Sequence, residues 1–304
     1  MTTYVAIDIG GTSIKYGLID ENEQLLEGHE MPTEAHKGGP GIMAKVKGIV
    51  ESFQKNHKLA GICISSAGMV DPEKGEIFYA GPQIPNYAGT AFKRDLEAAF
   101  GLPCEIENDV NCAGLAEVVS GSAKDSAVAL CLTIGTGIGG CLVLDGSVFH
   151  GYSNSACEVG YMHLSDGAFQ DLASTTALVR YVAKEHEEAV DQWNGLRVFR
   201  EATEGNTKCM AGIERMVDYL AQGIANICYV VNPQVVVLGG GIMAQEAILK
   251  PKLQDALKHY LVSSIEEKTQ VVFARHKNTA GMFGAFYHFK KQQEKRERNK
   301  EKEE

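Results

Sequence analysis

Residues 4–28 read YVAIDIGGTSIKYGLIDENEQLLEG, and residues 129–151 read ALCLTIGTGIGGCLVLDGSVFHG. The two stretches align at a constant offset: Ile7 falls on Leu132, Ile9 on Ile134, Gly10 on Gly135 and Asp20 on Asp145. Each copy is an apolar strand, a Gly/Thr turn, a second apolar strand and an acidic turn. That pattern predicts a β-hairpin with a glycine-rich tip. A short apolar run ending in glycine follows each copy. Residues 59–64 lead into Ser65-Ser66-Ala67-Gly68, and residues 235–238 lead into Gly239-Gly240-Gly241. Such runs predict strands covered on both faces. Helical spacing at 41–54, 110–120, 171–186, 210–230 and 244–260 alternates with them, so the fold class is α/β. Duplicated halves predict two similar domains with a cleft between them. Their boundary is expected near residue 115, in a helix over 111–119, and a last helix packs at 276–289.

At 304 residues the chain has room for two domains and a sizeable core. Its net charge of −10 is spread along the sequence, which argues against nucleic acid as the main partner. The same charge is compatible with a nucleotide, whose phosphates are held by backbone N–H groups and Mg²⁺. Met1-Thr2-Thr3 leads straight into the first apolar strand, and no apolar run reaches the length of a membrane span. None of the eight cysteines forms a CxC or CxxC pair, so they read as reduced core residues of a cytoplasmic protein.

Five elements carry chemistry. In Asp8-Ile9-Gly10-Gly11-Thr12-Ser13, paired glycines let backbone N–H groups approach phosphate oxygens, and Asp8 suits a hydrated Mg²⁺. Gly135-Thr136-Gly137-Ile138-Gly139-Gly140 is the same device in the second half. A strand follows its glycines, which excludes a Rossmann fingerprint, and the missing Lys-Ser/Thr excludes a Walker A loop. Gly239-Gly240-Gly241 opens space for a flat group such as adenosine, or makes a tight turn. Glu105-Ile106-Glu107-Asn108-Asp109-Val110-Asn111 ends a strand over 103–107 and opens a helix. There Asn108 suits a sugar hydroxyl and Asp109 suits its proton, with a plain helix N-cap as the alternative. In Cys157-Glu158-Val159-Gly160-Tyr161-Met162-His163, Glu158 suits vicinal hydroxyls and Tyr161 suits a sugar ring, while His163 reads as structural.

Taken in order, the DIGGT hairpin, SSAGMVD, ENDVNCAGLAE, LTIGTGIGG, the ExG element at 158–160, VVLGGGI and AGMFGAF resemble the ROK family of bacterial sugar kinases and sugar-responsive repressors. The resemblance runs from about residue 4 to 289. It implies the duplicated actin-like, ribonuclease H-like sugar kinase fold with a central cleft. The expected division is a smaller domain over 1–115 rejoined by a helix at 278–291, a larger domain over 116–277, and a charged tail at 292–304 whose composition reads as a solvated helix extension or a disordered end. It also implies roles. Gly10, Gly11 and Thr12 match the first phosphate loop, with Asp8 near Mg²⁺. Gly135, Thr136 and Gly137 match the second loop, and Gly239, Gly240 and Gly241 match the adenosine motif. Asp109 matches the catalytic base, and Asn108 and Glu158 match sugar ligands. Gly68 lies in the sugar-side turn, where Ala67 replaces the usual Pro, and Asn86-Tyr87 line the sugar site. Family members commonly form dimers.

The sequence departs from the family pattern at one place. Many members read ExGH followed by a cysteine-rich zinc cluster. Here Tyr161 replaces the His, residues 164–174 hold no cysteine, and the cluster's closing Glu falls at or near Gln170. No structural zinc is expected. This ExGY form looks most like β-glucoside kinases, which phosphorylate the 6-hydroxyl of the non-reducing glucose of cellobiose and related sugars. The runner-up is an N-acetylmannosamine or other hexose kinase. A repressor would carry a helix-turn-helix ahead of the first hairpin, which begins at residue 4. An actin-like filament or chaperone ATPase would share the hairpins but would not require ENDVN and ExG. A catalytically dead sugar-binding protein would not require Asp109.

Overall fold

The computed structural model describes residues 2–303 except Gln83. The chain forms two compact units. One comprises Met1–Val119, His150–Ser155 and Asn278–Glu304, the other Ser120–Phe149 and Ala156–Lys277.

The first unit is built on strands β1 (Thr3–Ile9), β2 (Ser13–Asp20), β3 (Leu25–Pro32), β4 (Leu59–Ser66) and β5 (Cys104–Asn108). Their order is β3-β2-β1-β4-β5, with β1 antiparallel to β2 and parallel to β4. Helices α1 (Gly38–Gln54), α2 (Phe92–Phe100) and α3 (Asp109–Ser120) follow β3, precede β5 and follow β5. Because side chains alternate along a strand, Val5, Ile7 and Ile9 join Ile42, Val46, Val50 and Phe53 of α1 in one core. Tyr4, Ala6 and Asp8 face the other way.

The second unit repeats the plan with β6 (Val128–Ile134), β7 (Ile138–Leu144), β8 (Ser147–Val148), β9 (Val235–Gly239) and β10 (Gln270–Phe273), in the order β8-β7-β6-β9-β10. The hairpin tips differ, however. Four residues lie between the paired Ile9 and Ile14, but three between Ile134 and Ile138. The constant offset therefore fails beyond the tip. Asp20, opposite Thr3, corresponds to Leu144 opposite Val128, not to Asp145. Between β8 and β9 run α4 (Phe169–Ala173), α5 (Thr175–His186), α6 (Gly195–Thr203) and α7 (Thr207–Val231). The single helix expected over 171–186 is two, because Ser174 breaks it and caps α5, its hydroxyl accepting from Ala177 N at 3.1 Å. Then come α8 (Glu246–Tyr260) and α9 (Ser263–Glu266). The central helix α7 packs beside α4, and the bare backbone of Gly223 leaves room for the Phe169 ring.

Helix α10 (Ala280–Glu303) returns to the first unit and covers the sheet face opposite α1. Phe286 and Phe289 meet Tyr4 edge-on at 5.2 and 5.5 Å, and Gly61 leaves room for Phe289. This helix continues as an extension through residues 292–303 of the charged tail. The reason is buried Glu105, which receives Gln293 Nε2 at 3.3 Å and Arg296 from α10, and Lys93 Nζ at 2.8 Å from α2. Seven of the eight cysteines are buried. Among the described residues, no helix is long and apolar enough to cross a membrane.

Candidate active site

In the first unit the parallel strands end side by side. Asp8 lies opposite Ser65, which lies opposite Glu107, and Ser66 lies opposite Asn108. Ligands of such sheets gather beyond these carboxyl ends. Asp109 follows as the first residue of α3. Its Oδ1 accepts from Asn108 Nδ2 at 3.0 Å and from the Val110 N–H at 2.9 Å. Burial pushes its pKa up to about 7, the nearby charge of Asp8 adds to the rise, and the Val110 and Asn108 hydrogen bonds oppose it. A carboxylate poised near neutrality suits a general base.

Asn108 is fully engaged. Its Nδ2 donates to Gly68 O at 2.9 Å and to Asp109, while its Oδ1 accepts from the N–H groups of Val110 at 2.9 Å and Asn111 at 3.1 Å. It caps α3, ties that helix to the Gly68 turn and orients Asp109. Gly68 sits at φ +94°, with Tyr79 O and Ile77 against its α-carbon, so a side chain there would displace the carbonyl that holds Asn108. Tyr87 is buried, its hydroxyl 2.6 Å from Ser66 Oγ. Its neighbour Asn86 is exposed, in the left-handed conformation at φ +51°.

Asp8 accepts from Ser65 Oγ at 2.7 Å, and its carboxyl lies against Gly281 in the first turn of α10. Burial raises its pKa, against Ser65 and Lys15. The charge of Asp8 in turn raises the cost of ionising Asp109. The first hairpin tip is open: Gly11 and Thr12 are exposed, while Gly10 N–H donates to Ser13 O at 3.0 Å and Gly10 O accepts from Thr33 Oγ1 at 2.6 Å.

In the second unit Gly135, Thr136 and Gly137 turn between β6 and β7, with Gly135 N–H donating to Gly137 O at 2.9 Å. They line a cavity of about 290 Å³ with Thr133, Gln170 and Gly240. Thus the second glycine-rich hairpin and Gly240 of the glycine run after β9 meet at one pocket. Gly239 ends β9, Gly240 turns at φ +109° against the Ile134 backbone, and Gly241 opens a short 3₁₀ turn. In the sequence Gln170 stands out only as lying at or near the place of the family's cluster-closing Glu. In the structure its amide oxygen abuts both Gly137 and Gly160, linking the hairpin to the ExG element. Glu158 precedes the 3₁₀ turn Val159–Tyr161, and burial raises its pKa. Tyr161 is exposed.

Among the described residues, His186, Glu201 and Cys209 bring three metal-ligating atoms within 4.8 Å of one another. Asn206 Nδ2 donates to both His186 Nε2 and Glu201 Oε2 at 3.0 Å, so the amide fills the lone pairs a cation would need. Asn206 Oδ1 caps α7, which makes this group a capping network.

Residues 4–292 match the ROK family. The chain belongs to the ROK family. It is 50% identical to an uncharacterised protein of Clostridium perfringens, over 95% of this chain and 98% of that one. It is 32% identical to a β-glucoside kinase of Listeria monocytogenes, over 96% of this chain and 99% of that one. Among solved structures, a Listeria monocytogenes protein described as a candidate N-acetylmannosamine kinase superposes with a TM-score of 0.85 at 29% identity, over 96% and 99% of the two chains. The duplicated sheets thus have the actin-like sugar kinase fold of this ROK family.

Sequence reasoning overlooked Glu107, Ser65, His150 and His288. The alternation Glu105-Ile106-Glu107 carried a signal: two acids on the same face of a strand whose other face is core.

Proposed function

We propose that this sugar kinase of the ROK family transfers the γ-phosphate of ATP to the 6-hydroxyl of the non-reducing glucose of β-glucosides such as cellobiose. The observation that carries the phosphoryl-transfer reading is Asp109, oriented by Asn108 at the end of a parallel sheet, with its pKa raised to about 7. In the proposed step, Asp109 takes the proton of the sugar hydroxyl. The freed oxygen bonds to the γ-phosphorus, and the bond to the bridging oxygen breaks to release ADP. The hairpin at Gly135–Gly137 and the turn at Gly240 hold the nucleotide, and Glu158 holds sugar hydroxyls. Mg²⁺, near Asp8, supplies neutralisation of phosphate charge when bound.

The choice of a β-glucoside is supported by Tyr161 in place of the family's His and by the β-glucoside kinase relative. The candidate N-acetylmannosamine kinase at 29% identity favours that sugar as the second reading. The reading carries with it a cytoplasmic setting and small-molecule partners. An ATP-coupled assay on cellobiose, gentiobiose, salicin, glucose and N-acetylmannosamine tests it. Turnover of the β-glucosides, with phosphate on the 6-oxygen, is expected. Turnover confined to N-acetylmannosamine or glucose overturns the choice of substrate.

A further inference from the structure

Glu107 is fully buried one residue before Asn108, and the mechanism above gives it no task. Both of its oxygens are used. Oε1 accepts from the Asn108 backbone N–H at 2.8 Å and from Asn111 Nδ2 at 3.0 Å. Oε2 meets His150 Nε2 at 2.6 Å and His288 Nδ1 at 3.5 Å. One oxygen thus holds the start of α3, and the other faces two imidazoles, one from the His150–Ser155 segment and one from α10.

We infer that His150, acting through Glu107, positions Asn108 and Asp109 for proton transfer. Protonated His150 keeps Glu107 ionised, and ionised Glu107 grips the Asn108 N–H and the Asn111 amide. This rests on the reading of Asp109 as the base. The surrounding charges agree with it. Burial works to raise the Glu107 pKa, but the His150 hydrogen bond, the charges of His288 and His150, and the Asn111 hydrogen bond outweigh it and hold the acid below its usual range. Burial works to lower the His150 pKa, but its hydrogen bond to Glu107 and the charges of Glu107 and Glu73 outweigh it, against Lys295, and raise it. His288 goes the other way. Burial, helped by His150, Lys93 and Lys291 against the pull of Glu107, holds it down, and its Nε2 is buried without a partner. His150, at 2.6 Å against 3.5 Å for His288, is therefore the closer imidazole and the one whose charge persists to higher pH. A partner that leaves a buried carboxylate uncompensated makes the structure around it yield.

The raised pKa fixes the sign. The His150 cation is present below the ordinary histidine value of about 6.5 and is lost as pH rises through the higher folded value. Turnover should consequently fall on the alkaline side. The experiment is kcat against pH, from about 6 to 9.5, for the intact enzyme, His150→Ala and His150→Gln, at saturating ATP and sugar. His150→Ala is expected to lower kcat about tenfold near neutrality with KM for ATP unchanged, and to lose the alkaline fall. His150→Gln keeps a donor without the charge, so it should recover part of kcat and still lack the fall. An intact enzyme with no alkaline fall, or variants that retain it, overturns the proposal. If His150→Ala does not fold by circular dichroism, His150→Gln decides. Asp109→Asn in the same assay keeps the two readings apart. Turnover by that variant sinks the base, whereas a dead Asp109→Asn beside an unaltered His150→Gln profile sinks only the positioning role.

Discussion

Replacing Asp109 with Asn is expected to remove turnover and stabilise the protein at once, because the same burial serves one and costs the other. The carboxyl is pushed from 3.8 to about 7. A rise of that size corresponds to about 4 kcal/mol for a sealed group. Asp109 is only half-buried, so water screens the penalty to about 2 kcal/mol. Between these two pKa values the folded chain binds more protons than the unfolded one, so stability falls as pH rises through that window and the loss is complete above it. Asparagine keeps the oxygen that accepts from Asn108 and Val110 but cannot ionise. Thermal unfolding at pH 8 should therefore show the variant about 2 kcal/mol more stable, with less than half of that gain at pH 5. In the coupled assay, losing the base should reduce kcat by about 10²–10⁴. Near-normal turnover, or a variant no more stable than the parent at pH 8, would refute the reasoning.

Glu158→Gln should raise the sugar KM about tenfold or more and leave the ATP KM alone; a change only in the ATP constant contradicts the role given to Glu158. Gly240→Ala should cost about 2–3 kcal/mol and weaken ATP binding, since its positive φ and the Ile134 backbone both oppose a side chain. Both effects are readable by thermal unfolding and ATP titration. Ending the chain after Gln292 removes Gln293 and Arg296 from Glu105, which keeps Lys93. A loss of about 1–2 kcal/mol in denaturant unfolding, without a change in sugar preference, is expected.

The sheets were readable because their signals are local. Apolar runs of strand length and glycine pairs at hairpin tips mark β1, β2, β6, β7 and β9 within a few residues each. The single-residue difference between the tips was not readable, since the strands beyond it are equally apolar in either register. The site divides in the same way. Asn108 and Asp109 stand out as a polar pair ending an apolar strand. The partners that charge and orient them do not, because Glu107 meets His150 and His288 across long stretches of chain. The sequence pattern does not distinguish a sugar ligand from a cap at Asn108. The structure finds its amide engaged as a cap with four partners, Gly68, Asp109, Val110 and Asn111. The charged tail reads in the sequence as either a solvated helix extension or a disordered end, and α10 takes the first form. Its last turns look wholly solvated until Glu105 is seen buried and in need of cations.

That last helix also sets an order of events during synthesis. The second unit is complete once Lys277 has been made, whereas the sheet holding Asp8 lacks its cover until helix α10 has followed. Domains commonly mature from the N-terminus onward. Here the half begun first is finished last, and a nascent chain stalled near residue 277 would expose the apolar face around Tyr4 and Gly61 to chaperones or to other stalled chains.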